Sequence, residues 1–226
     1  MMFLINDVLK CRYVNAIYVV AVQMQMGINI SQNMLLIFEM EGVFFSSYTR
    51  DEPNCHIQRK PDWEFGDRSY FLRPFQSELL KYCLKNYNVA IWTLNVTNRY
   101  IQQVLEKSNI DIGDFEFTWD RSRCHLQTKF KAGSTIKFYE KRLSDVWSQY
   151  GDKYDASNVL LIDTTKPTSQ FVGYRSNHIL IKSYTGQEKD MWLMQVYSPF
   201  LRNFIVSKKN VTTFECSIEH QLHCSR

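Results

Sequence analysis

Two glutamates one residue apart, Glu39 and Glu41, follow directly on the apolar run Met34-Leu-Leu-Ile-Phe38 and lead into Gly42. Two more apolar runs end in polar residues: Val89-Ala-Ile-Trp92 in Thr93, and Val159-Leu-Leu-Ile162 in Asp163-Thr164-Thr165. Lys141 lies before the last of them. Carboxylates, a hydroxyl and a lysine brought together make a set able to hold a divalent cation and a phosphate. An acid directly after a buried strand is expected to face the cleft beyond the carboxyl ends of an open sheet, where ligand chemistry gathers in such folds.

The elements that must position these residues are legible as a pattern. The three apolar runs lack the alternation of half-exposed strands and read as parallel strands covered on both faces. Between and after them lie helix candidates over 74–86, 97–108, 137–150 and 191–206, with Pro74 at a permitted first-turn position and Thr97 as a cap. Lys141 would then lie within a helix. Strand followed by helix, repeated, implies an α/β domain: a three-layer, Rossmann-like fold with a mainly parallel central sheet. Residues 44–71 break the rhythm with Pro53, Pro61, aromatics and mixed charge. They read as a small cap-like insertion of loops and short antiparallel strands after the first strand, the kind of insertion that shapes a binding surface.

The 226 residues, 45% hydrophobic and 22% charged, fit one globular domain and exclude disordered, collagen-like and coiled-coil classes. A net charge of +4, scattered along the chain, gives no electrostatic case for direct nucleic-acid binding. Six dispersed cysteines without a C-x-x-C pair favour a reducing compartment. The apolar stretch 14–22 is too short to span a bilayer, which takes roughly 20 apolar residues, so no transmembrane helix is expected. Residues 1–33 are read as an extension, 34–206 as the domain, and 207–226 as a polar tail. Within that tail Cys216, His220, His223 and Cys224 match no standard zinc spacing.

The same positions resemble the haloacid-dehalogenase superfamily, and within it the phosphatases acting on the carboxy-terminal domain (CTD) of RNA polymerase II, including the nuclear LIM interactor-interacting factor group. The landmarks run in order: Leu35-Leu-Ile-Phe-Glu-Met-Glu-Gly-Val43, Arg73-Pro-Phe75, Val89-Ala-Ile-Trp-Thr93, Trp119-Asp-Arg-Ser-Arg-Cys124, Lys141-Arg-Leu-Ser144 and Leu160-Leu-Ile-Asp-Thr-Thr165. The resemblance implies that Glu39 stands where the family has its aspartate nucleophile and Glu41 where it has its general acid and base. It also implies that Thr93 and Lys141 bind phosphoryl oxygens, and that Glu39, Asp163 and Thr164 occupy the magnesium-binding positions.

Three of these positions depart from the family's pattern. Both first-motif aspartates are glutamates, whose extra methylene moves the carboxylate by about an ångström or more, and a misplacement of that size can cost ~10²-fold in rate. Thr164 replaces a carboxylate that would help hold a hard cation. The expectation is a phosphatase homologue with impaired or absent hydrolysis and with magnesium bound weakly or not at all. It would act by binding a phosphorylated or extended protein segment, in the nucleus or cytoplasm. The same homology domain occurs in the receptor subunit of the mitochondrial presequence translocase, which gives a non-enzymatic, mitochondrial alternative.

Overall fold

The computed structural model describes residues 34–49, 52, 57, 59–94, 98–131, 133–165, 177–191 and 193. Expectations for the extension 1–33, the Thr97 cap, the helix 191–206 (all but residues 191 and 193) and the tail 207–226 lie outside these residues.

Continuous apolar sequence becomes buried parallel sheet. β1 (Leu35–Phe38), β5 (Asn88–Trp92) and β9 (Val159–Asp163) are adjacent, with β1 in the middle. β10 (His178–Leu180) and β6 (Thr118–Trp119) flank them, in the order β10-β9-β1-β5-β6, and every pairing is parallel. Both faces are covered, as a sheet of this kind requires. On one face Leu35, Ile37, Ala90, Trp92, Val159 and Leu161 pack with Leu143 and Val146 of α3 (Leu143–Tyr150). On the other, Leu36, Phe38, Ile91 and Ile162 are equally buried.

The remaining helices show the spacing of an apolar stripe. α1 (Gln76–Asn86) buries Gln76, Leu79, Leu80 and Cys83 at i, i+3, i+4 and i+7. α2 (Asn98–Lys107) buries Ile101, Val104 and Leu105. The 3-10 turn Arg121–Arg123 follows β6, capped by the Asp120 side chain, which accepts from Ser122 N at 2.9 Å. Trp119 itself is core, stacked on Phe117 at 4.2 Å between ring centroids.

The insertion forms an antiparallel sheet, β2 (Phe45–Thr49), β4 (Arg68–Leu72) and β3 (Trp63–Phe65), in the order β2-β4-β3. Aromatic cross-strand packing holds it, with Trp63 stacked on Tyr70 at 4.7 Å.

One expected element is corrected. Residues 137–140 belong not to a helix but to β8 (Ser134–Glu140), which pairs antiparallel with β7 (His125–Lys131) across Gly133 at φ 80°. Thr135, Ile136, Phe138 and Tyr139 are β-branched or aromatic residues, which favour a pleated strand. The helix begins only at Leu143, so Lys141 lies in the junction between β8 and α3.

The loop after β1 is tied down by Arg73, one of the largest fully buried side chains. Its guanidinium donates to the carbonyls of Gly42, Val43 and Lys182, each at 3.3 Å, and to Asp190 at 3.1 and 3.3 Å. A flat fork of donors suits such convergent carbonyls and a carboxylate as a lysine would not. Replacing Arg73 by Met leaves those carbonyls and Asp190 without this partner and is expected to cost ~3–5 kcal/mol. Urea denaturation checks this, and a loss below about 1 kcal/mol, within the range of ordinary surface changes, would contradict the anchoring role.

Candidate active site at the sheet's carboxyl edge

Because β1, β5 and β9 run in register, with Phe38 opposite both Ile91 and Ile162, their carboxyl ends bring Glu39, Thr93 and Asp163 to one edge. Glu39 N donates to Ile162 O at 2.9 Å and Thr93 N to Trp119 O at 2.9 Å, fixing the backbone on both sides. All three side chains are buried, with relative exposures of 3% for Glu39, 0% for Thr93 and 3% for Asp163. The junction after β8 delivers Lys141 between the two acids.

The Glu39 carboxylate accepts four hydrogen bonds. Oε1 takes Met40 N at 3.0 Å and the Thr93 hydroxyl, and Oε2 takes Leu94 N at 3.1 Å and the Lys141 ammonium. A carboxylate has about four lone-pair sites, so this one is saturated. Lys141 Nζ also donates to Asp163 Oδ2 at 2.8 Å, and Asp163 Oδ1 accepts from Thr165 N at 2.8 Å. Burial disfavours the charged form of Lys141, but the attraction of Glu39 and Asp163 outweighs it and holds the ammonium above its ordinary pKa. For Asp163 too, burial opposes ionisation and the Lys141 charge overcomes it, so its pKa lies below the usual carboxylate value. His178 on the neighbouring strand is pushed down, chiefly by burial, and stays neutral at pH 7.

Glu41 does not join this cluster through any described hydrogen bond. Its carboxylate accepts from the Ser47 hydroxyl at 2.6 Å and lies 3.8 Å from Arg68, which itself donates to Ser47 Oγ at 2.7 Å. Glu41 thus borders a cavity of about 470 Å³ walled by Phe45, Ser47, Arg68, Tyr70, Tyr100 and Arg121. Thr164 packs beneath the loop after β1. A Cβ at Gly42, which has φ 81°, would lie 2.6 Å from Ser183 Oγ and 3.0 Å from Thr164 Cγ2, so only glycine fits both the backbone conformation and the space.

Four residues outside the expected site set contribute to it. Leu94 N is a backbone donor and carries no side-chain signal. Ser47 and Arg68 engage Glu41 from two strands of the insertion, β2 and β4. Arg121 Nε reaches Leu94 O at 2.8 Å, which links the turn after β6 to the site. Cys124 is pushed up by burial first of all and is not an activated thiol.

A parallel sheet carrying acids, a hydroxyl and a lysine at its carboxyl edge is the framework of a phosphatase-type α/β domain. The chain belongs to the NLI interacting factor-like phosphatase family, whose model matches residues 34–212. This bears out the resemblance to the CTD-phosphatase branch of the haloacid-dehalogenase superfamily. A solved structure described as that of Fcp1, an essential RNA polymerase II CTD phosphatase, is similar at 16% identity with a TM-score of 0.40. That match covers 76% of this chain and 50% of the other, so the chain spans about half the length of that relative. No curated protein matches the chain. Magnesium use is compatible with family membership. Among the described residues no helix is long and apolar enough to cross a membrane.

Removing Lys141 would leave two buried carboxylates facing each other. Lys141→Met is expected to cost ~3–5 kcal/mol at pH 7. Because the lysine depresses the folded-state pKa of Asp163, its contribution is present above the unfolded aspartate value of about 3.9 and is lost as pH falls through the folded value. The stability gap between native and Lys141→Met chains, followed by urea titration, is therefore expected to narrow below about pH 4. A gap that widens there would refute this assignment.

Proposed function

We propose that the domain is a protein serine/threonine phosphatase homologue of the CTD-phosphatase type, impaired in hydrolysis, that acts by binding a phosphorylated or extended protein segment. The observation that carries this reading is the saturation of the Glu39 carboxylate. A nucleophile needs a free lone pair aimed at phosphorus. Here both oxygens are committed to Met40 N, Thr93, Leu94 N and Lys141. A general acid and base must reach the reacting atoms, whereas Glu41 is drawn aside by Ser47 and Arg68.

The oxygen donors also suit magnesium poorly. The ion wants about six oxygens in near-ideal octahedral geometry and is bound through carboxylates that can give it a lone pair. Glu39 has none left, Asp163 is shared with Lys141 and Thr165 N, and position 164 offers a hydroxyl. Among the described residues no three His, Cys, Asp or Glu side chains gather to hold a metal ion. With these lone pairs taken, magnesium on this reading is bound weakly or not at all.

Each side chain then has a binding or structural task. Lys141 pairs with both buried acids, Thr93 and Leu94 N orient Glu39, and the cavity beside Glu41 offers a polar segment aromatic walls, two arginines and two glutamates, Glu41 and Glu52. The place of action on this reading is nuclear or cytoplasmic. The translocase-receptor alternative gains no support from the family match or from the site.

Single-turnover hydrolysis of a phosphoserine peptide, with magnesium or manganese, tests the reading. The restored Glu39→Asp, Glu41→Asp, Thr164→Asp chain is expected to turn over at least ~10²-fold faster than the native one. Native turnover that matches the restored chain and vanishes on Glu39→Ala would make this protein an enzyme with a glutamate nucleophile.

A further inference from the structure

We propose that Glu39 is a built-in occupant of the protein's own anion site, so that the native chain takes no phosphoryl group there and recognises its ligand without one. This deepens the reading above and rests on it, because the site in question is the one the domain shares with phosphatases.

Three donors converge from two elements on one small volume. The Thr93 hydroxyl and Leu94 N come from the end of β5, and the Lys141 ammonium from the junction after β8. A hydroxyl, a backbone amide and an ammonium are the donor types that hold anionic oxygens, and charge-assisted bonds of this kind are about twice as strong as neutral ones. The volume is dry: the Lys141 side chain is 2% exposed and that of Glu39 is 4% exposed. Such a set, left empty, would bury an ammonium facing only Asp163 and leave two further donors without an acceptor, which is costly in a site without water. The Glu39 carboxylate supplies the missing acceptors, presenting Oε1 to Thr93 and Oε2 to Leu94 N and Lys141.

Length decides the matter. An aspartate on the same backbone would end one carbon–carbon bond, about 1.5 Å, short of this position. From a starting distance of 3.1 Å to Leu94 N, a retreat of even half that passes the limit of a hydrogen bond. Glutamate bridges from β1 to the donors of β5 and Lys141, and aspartate leaves them open. The extra methylene does more than misplace a nucleophile: it delivers an anion into the pocket. An incoming phosphoryl group would have to displace a side chain held by four hydrogen bonds and tethered at high effective concentration. Recognition then falls to the surface beside the site, not to a phosphate in it.

Inorganic phosphate and tungstate are the probes, read by calorimetric titration and by ligand-induced thermal shift on the full chain and its Glu39 variants, with circular dichroism to verify folding. The native chain is expected to show no saturable binding at millimolar anion. Glu39→Ala and Glu39→Asp are expected to bind at least tenfold more tightly, and adding Lys141→Met to Glu39→Ala is expected to abolish the gain. Glu39→Asp keeps a negative charge at the position, so the test stands even if Glu39→Ala folds poorly. Native binding as tight as that of Glu39→Asp would mean the site is open and would overturn the proposal. Anion binding by the native chain without hydrolysis of a phosphoserine peptide would sink this inference alone, whereas native hydrolysis would sink the functional reading beneath it.

Discussion

The buried triad of Glu39, Lys141 and Asp163 is the interaction on which the carboxyl edge of the sheet depends. Two carboxylates and one ammonium leave a net negative charge in a dry site, a composition that is costly unless every lone pair is met. Here the excess charge is spread over the Thr93 hydroxyl and the amides of Met40, Leu94 and Thr165. The amides lie two residues beyond the paired ends of β1, β5 and β9, so the sheet's register brings them to the same edge. The sheet does not simply display the site: its own strand ends are half of the site's hydrogen-bond donors.

That arrangement imposes demands further out. The loop that carries Glu39 and Glu41 away from β1 must turn sharply, which Gly42 permits at φ 81°. It must also be held, which Arg73 does from beneath through three carbonyls. Tyr184 N caps the same loop at Gly42 O, 2.7 Å away. The insertion then takes hold of Glu41 through Ser47 and Arg68, dividing two acids that lie one residue apart in sequence between two environments. One acid is buried against an ammonium and the other borders a cavity, and it is this separation, more than any single substitution, that shapes the functional reading.

The sheet was plain in the sequence because its three central strands are unbroken apolar runs, a pattern that only double-sided burial explains. Their polar terminators pointed to Glu39, Thr93 and Asp163 for the same reason. The hairpin of β7 and β8 was hidden because it lies on no core: Leu126 and Phe130 are 54% and 81% exposed, so no burial pattern marks it. Its loss from view placed Lys141 on a helix, when the residue follows directly on a strand. Nor can residue types announce backbone donors such as Leu94 N, or the capture of Glu41 by a serine and an arginine brought in by a separate sheet. The identity of the acids was legible, and how their lone pairs are spent was not.

The Glu39 carboxylate fills the space between Thr93, Leu94 N and Lys141. The most direct measurement is a crystal structure of the native chain and of Glu39→Asp, each soaked in tungstate. The expected result is an empty difference map beside Lys141 in the native crystal, with the Glu39 carboxylate on its four donors, and tungstate on Thr93, Leu94 N and Lys141 in the variant. Tungstate at that position in the native crystal, with Glu39 swung away, would contradict it.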